Sequence, residues 1–285
     1  MSLIVPPFAF AHCTTNTATD PPSSAACAGT AFSTNGTINV ESATTSAISA
    51  LTHDCHYIVI GVCGHNSSTA NAKGCIDIMV DPAGGTSWSE LIADLAFGHT
   101  ADVVAGTNLF QRYYHFPLYI KSGSSLGFRN RVLVDTSSGP FIGMWCYGEP
   151  SRPDMWWCGQ KVETLGISGL TNYGVNVTPG ATGAWGSWTN IGASTQPYGS
   201  VQLGIHGSDG AVLAQGYFWE IGYGSTALPG APRVYTAGST LEYFAASCLN
   251  EYPIWCDVPA STTWQVRGAA SGTGEIYSFS IYGVY

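Results

Sequence analysis

Seven histidines and nine cysteines are the side chains of this 285-residue chain best suited to chemistry. His53 and His56 flank Asp54 in "THDCHY". On a strand, residues three apart point to opposite faces, so a metal site there requires a turn between them. Otherwise the segment is a loop entering a strand. "GSSLG" (123–127) has the spacing of a nucleophile elbow with Ser125 at its centre. An elbow needs a helix next, and strand-like "FRNRVLV" follows instead, so the segment reads as a turn. Cys13, Cys27, Cys55, Cys63, Cys75, Cys146, Cys158, Cys248 and Cys256 contain no C-x-x-C pair. The odd number leaves at least one unpaired. Cys146 in "GMWCYG" and Cys256 in "PIWCDV" read as small apolar residues inside strands. Glycoside hydrolysis needs two carboxylates across a groove, and 18 acidic residues always supply some pair, so the sequence carries no specific signal for it. No glycine-rich phosphate loop is present. Asn35, Asn66 and Asn176 open N-x-S/T acceptor patterns, which mean little without export. The expectation is a protein with no catalytic residue, no metal and no cofactor.

The enriched class with binding potential is aromatic: 9 Trp and 15 Tyr. The densest groups are Trp156–Trp157 and, in "GAWGSW", Trp185 with Trp188. Their Gly- and Pro-rich surroundings suit partial exposure. They plug a domain junction or subunit interface, or they stack on the rings of a glycan.

The elements that must position these residues read as strands. "CHYIVIGVC" (55–63), "CIDIMVD" (75–81), "FPLYI" (116–120), "RVLVD" (131–135) and "FIGMWCYG" (141–148) are β-branched and aromatic runs bounded by turn residues. "SVQLGIHG" (200–207), "YFWEIGYG" (217–224), "RVYTAG" (233–238), "YPIWCDV" (252–258), "TWQVRG" (263–268) and "EIYSFSIYGVY" (275–285) repeat the style. Only "SWSELIADLAFG" (87–98) has helical periodicity, and it is equally compatible with strand plus loop. Many short strands and few helices predict an all-β chain of β-sandwiches or jelly rolls.

The strands repeat. "YIVIGVCG" from Tyr57 matches "SVQLGIHG" from Ser200 at an offset of 143, with glycines at 61/204 and 64/207. "CIDIMVD" from Cys75 then falls on "FWEIGYG" from Phe218. "FPLYIKSGSSLGFR" (116–129) and "YPIWCDVPASTTWQVR" (252–267) align Pro117 with Pro253 at an offset of 136 and read as matching hairpins, with Pro at a strand start or edge. Tyr147 against Tyr282 gives 135. A competing register pairs the "SW" of 87–88 with that of 187–188. The first scheme explains more strands in order. It predicts an extended N-terminal arm (1–40), a first sandwich or jelly roll (41–150), a connecting segment (151–180) and a second, related sandwich or jelly roll (181–285).

The charged fraction is 9%, against roughly 25% in ordinary soluble domains. Such a surface suits a chain packed against other subunits or working outside a cell. The net charge is −9 and the nine Lys and Arg are scattered, which argues against nucleic acid and anionic membranes as partners. No stretch reaches the roughly 18 apolar residues of a membrane span. "MSLIVPPFAFAHC" lacks the basic start of a signal peptide, so reduced thiols are expected.

The run "SWTNIGAST…YGSVQLGIHG…YFWEIGYG…YPIWCDVPASTTWQVRG…IYSFSIYGVY" resembles β-rich virion proteins of tailed bacteriophages, well over 185–285 and more loosely over 50–150. This chain has "PAST" where that group has a Pro-Ala-Gly turn. The resemblance implies a fold and a setting and carries no active-site residues. It implies a non-enzymatic virion protein, assembled in the bacterial host cytoplasm. It would be a multi-copy part of a tail fibre or baseplate appendage, or a capsid decoration or head spike. Its partners would be itself, other virion proteins reached through the arm, and a host-surface glycan. The reading from another class is a glycan-binding module or depolymerase.

Overall fold

The computed structural model describes residues 11–13, 30–31, 37–63, 72–99, 112–134, 141–148, 157–208, 216–229, 234–237, 246–247, 253–272 and 276–285. Asn35, Asn66, Trp156 and most of 1–36 lie outside them. The described residues contain strands and no helix, hence no helix long and apolar enough to cross a membrane.

The first nine strands are β1 (Ala11–Cys13), β2 (Thr30–Ala31), β3 (Thr45–Ile48), β4 (Tyr57–Cys63), β5 (Ala72–Asp81), β6 (Ser89–His99), β7 (Arg112–Phe116), β8 (Ser125–Val134) and β9 (Phe141–Tyr147). They form two antiparallel sheets, one ordered β1-β9-β4-β7 with β2 also on β9, the other β3-β8-β5-β6. The chain continues as β10 (Val162–Leu165), β11 (Val175–Val177), β12 (Thr189–Ala193), β13 (Tyr198–Ser208), β14 (Gly216–Tyr223), β15 (Thr226–Ala227) and β16 (Val234–Ala237). It ends with β17 (Ala246–Ser247), β18 (Ile254–Val258), β19 (Thr263–Ala270) and β20 (Tyr277–Val284). These make a second pair of sheets, β10-β20-β13-β18 with β11 on β20, and β12-β19-β14-β16-β17 with β15 on β14.

Each half has the same wiring. If β1 with β2, and β10 with β11, each count as one split first strand, the eight main strands run 1-8-3-6 in one sheet and 2-7-4-5 in the other. This is the double Greek key of a jelly roll. The split is itself repeated. It falls opposite the Gly61/Gly143 pair in the first half and opposite Gly204/Ser280 in the second. Two stretches of residues 11–31 therefore belong to the first sandwich's sheet.

Period-2 alternation builds each core. Ile58, Ile60 and Val62 of β4 and Ile142, Met144 and Cys146 of β9 face Ile76 and Ile78 of β5 and Leu126 and Phe128 of β8. The second core is more aromatic. Tyr217 and Trp219 stack at 5.9 Å, and Trp219 meets Phe279 at 4.6 Å.

One open reading resolves and two expectations change. "SWSELIADLAFG" is strand β6: its i, i+3 apolar spacing comes from a bulge, since Ile76 and Ile78 pair with Leu95 and Ile92 across one extra residue. Asp94, in that bulge, has φ 59°. The two "hairpins" are instead crossings between sheets, because β7 and β18 lie in one sheet of their sandwich and β8 and β19 in the other. Gly123 and Ser261, both at positive φ, reverse the chain within these links. Finally, the offset of 143 holds for β5 and β14 but the later strands shift by 137–138, not 135–136. Arg129 lies opposite Asp77, as Arg267 lies opposite Glu220. A slip of two residues preserves which face each side chain takes, so alternation alone does not detect it. The competing "SW" register fails, since Trp88 precedes β6 whereas Trp188 precedes β12, strands at different places in the wiring.

Candidate functional site

The two sandwiches meet where the outer face of β20, β13 and β10 covers β6. Along β20, Tyr277, Phe279 and Ile281 point into their own core, so Tyr282 and Val284 point away from it and join the core of the first sandwich. The Tyr282 ring stands edge-on to Tyr114 (5.6 Å) and Phe116 (6.3 Å). Its hydroxyl accepts from the Ala96 amide and donates to the Asp94 carbonyl, both at 2.8 Å, so it closes the bulge of β6. Thr164 donates to the Ala93 carbonyl (2.7 Å), and the His115 amide donates to Gln202 (3.2 Å). The loop between β10 and β11 also reaches across. Arg131 donates to the Gly169 carbonyl (2.8 Å), lies over the Tyr173 ring and pairs with Asp94. Burial pushes the Asp94 carboxyl up to about 6, because removal from water outweighs the Arg131 charge and Asp77 adds repulsion.

This junction also brings a cysteine against a histidine. Cys75 Sγ lies 3.9 Å from His206 Nδ1, and His206 Nε2 is 2.9 Å from Ser280 Oγ. It resembles a nucleophile with its base, yet both residues are buried and burial raises the Cys75 thiol well above its ordinary range. A reactive cysteine needs the opposite: a lowered thiol and access. The row of polar groups acts as a strut between sandwiches.

A more open cleft beside the junction is lined by Glu90, Tyr119, Lys121, Gln160 and Lys161. It offers one carboxylate, raised by burial and neighbouring acids and held by Arg129 at 3.0 Å. Paired acid–base chemistry on a glycoside needs two.

The sequence candidates separate. His53 bonds Thr52, whereas Asp54 accepts from the Ser122 amide (2.7 Å) and Tyr119 (3.2 Å), which lowers its carboxyl. His56 is buried against the Tyr119 ring. Among the described residues no three His, Cys, Asp or Glu side chains gather as metal ligands. Ser125 starts β8 and donates to the Ser49 carbonyl. Cys55, Cys75, Cys146, Cys158 and Cys256 are free thiols. Asn176 accepts from Ser278 on β20.

Trp185 and Trp188 flank Arg267, whose guanidinium carbon sits 4.9 and 4.4 Å from their ring centroids. Arg267 also binds Glu220 through Nε (2.9 Å) and Nη2 (2.7 Å). These two tryptophans are occupied in holding an ion pair flat on the second sandwich. Trp157 has another neighbour, Trp255 of β18, with ring centroids 5.6 Å apart and planes at 76°. Trp157 is 50% exposed and Trp255 44%. Sequence reasoning missed Trp255. Its signal was the outward phase of "IWCDV", legible only once that strand's face is known.

No family profile matches the chain, and no curated protein matches it. Among solved structures, PNGF-II shares 8% identity over 85% of this chain with a TM-score of 0.40. The chain spans 59% of the length of PNGF-II. The STIV MCP shares 8% over 90% of this chain and 95% of its own, with a TM-score of 0.33. Likenesses this remote bear on neither fold nor function.

Proposed function

We propose that this chain is a non-enzymatic structural protein of a virus particle, present in many copies. The observation that carries this reading is the junction: the second jelly roll supplies Tyr282 and Val284 to the core of the first. Two jelly rolls joined this way make one stiff block rather than two modules hinged around a substrate. The low charge of the surface supports a block packed among copies of itself. Asp77, Asp94 and Glu220 are held in ion pairs with arginines and Cys55, Cys75 and Cys146 are buried, which supports a structural role for these side chains. The bacteriophage setting rests on the sequence resemblance alone. Of the places that resemblance implies, a stiff block suits a capsid decoration or head spike better than a tail fibre.

Light scattering and negative-stain microscopy of the native protein test this reading. Closed oligomers are expected, and a monomer at all concentrations overturns it. Deletion of residues 1–10 tests the arm, since it leaves β1 in place; removal of 1–40 would strip β1 and β2 from β9.

A further inference from the structure

Trp157 and Trp255 form a platform that the fold holds rigid. An added Cβ on Gly199 of β13 would lie 2.1 Å from ring atoms of Trp157, so only glycine lets the indole rest on that strand. Trp255 stands on edge strand β18, directly opposite Ser200 in register. Directly opposed residues share a face, so Ser200 lies under the platform. It is fully buried, and its hydroxyl has no hydrogen-bond partner. Period-2 alternation along β18 turns Ile254, Cys256 and Val258 toward the second core and leaves Asp257 exposed on the same face as Trp255. No described group bonds or ion-pairs with Asp257.

A seated but half-exposed indole, a second one edge-on to it and an unpaired carboxylate make a chemically specific set. Two large apolar rings left in water are unfavourable unless something covers them. Indole faces stack on the C–H face of a pyranose, and a carboxylate accepts paired hydroxyl donors. Asp257 and the net charge of −9 act against uronic acids, sialic acids and nucleic-acid phosphates. We propose that Trp157, Trp255 and Asp257 bind a neutral hexopyranose glycan. This site does not depend on the structural role argued above.

The test is saturation-transfer NMR and tryptophan-fluorescence titration of the intact protein. The probes are maltohexaose, cellohexaose, mannohexaose and chitohexaose at millimolar concentration, with sedimentation velocity run in parallel. Saturation transfer to at least one of these sugars is expected. Trp157→Ala and Trp255→Ala should each weaken it about tenfold. Asp257→Asn should weaken it too, and Gly199→Val should do so by unseating Trp157 while both tryptophans remain. Trp188→Phe should leave binding unchanged. Absence of transfer from all four sugars overturns the proposal, as does binding that survives loss of both indoles. If no sugar binds and Trp255→Ala dissociates an oligomer, the platform is a subunit contact and the proposal is overturned.

Discussion

At the scale of single residues, two titrating groups near the junction pull stability in opposite directions. Asp94 is raised to about 6 from an ordinary 3.8, chiefly by burial. The stability linked to it is therefore full below 3.8 and lost as pH rises through 6. His115 is lowered to about 4 from 6.5 by burial, and its Nδ1 lies 3.2 Å from the Tyr57 hydroxyl. Its contribution is full above 6.5 and lost as pH falls through 4. Over the shared window the two oppose, so urea midpoints of the native protein should change little between them. Asp94→Asn, which tolerates the positive φ, should make stability fall as pH drops from 6.5 to 4. His115→Gln should make it rise over the same descent. Arg267 supplies a second test. A lysine cannot lie flat between Trp185 and Trp188 while forking onto Glu220, so Arg267→Lys should cost about 1 kcal/mol in chemical denaturation.

At the scale of elements, β20 is the strand on which both sandwiches depend. One face fills the second core and the other plugs the first. Tyr282→Ala removes a fully buried ring and should cost about 3–5 kcal/mol. Tyr282→Phe keeps the ring and deprives the Ala96 amide and Asp94 carbonyl of their partner, for about 1–3 kcal/mol. Hydrogen exchange distinguishes this arrangement from one of independent domains. Both variants should speed exchange in β6, a strand more than 180 residues away in sequence. Unchanged β6 protection would mean that the plug does not hold the bulge.

At the scale of the whole molecule, the dependence runs one way. The first sandwich borrows Tyr282 and Val284, whereas the second core draws only on its own strands. A fragment of residues 157–285 should show a cooperative thermal transition by circular dichroism. A fragment of residues 1–150 should not, and the intact chain should unfold in one step. Two separate transitions in the intact chain would contradict the shared core.

What the sequence determined by itself is local. Alternation and turn residues specify strands over helices, spacing reveals the duplication at 143, and the composition marks free thiols and a surface poor in charge. Trp157, Trp185 and Trp188 were also legible as candidates, because aromatic clusters among glycines are visible without a fold. The tertiary structure decided the rest, because each remaining feature depends on partners far apart in the chain. Strand signals do not tell a hairpin from a crossing between sheets, and a two-residue slip keeps every face. The bulge that gave β6 its helical spacing is closed by Tyr282, a residue of the other sandwich. Whether an indole is spent on Arg267 or left beside Trp255 is settled by which strands become neighbours.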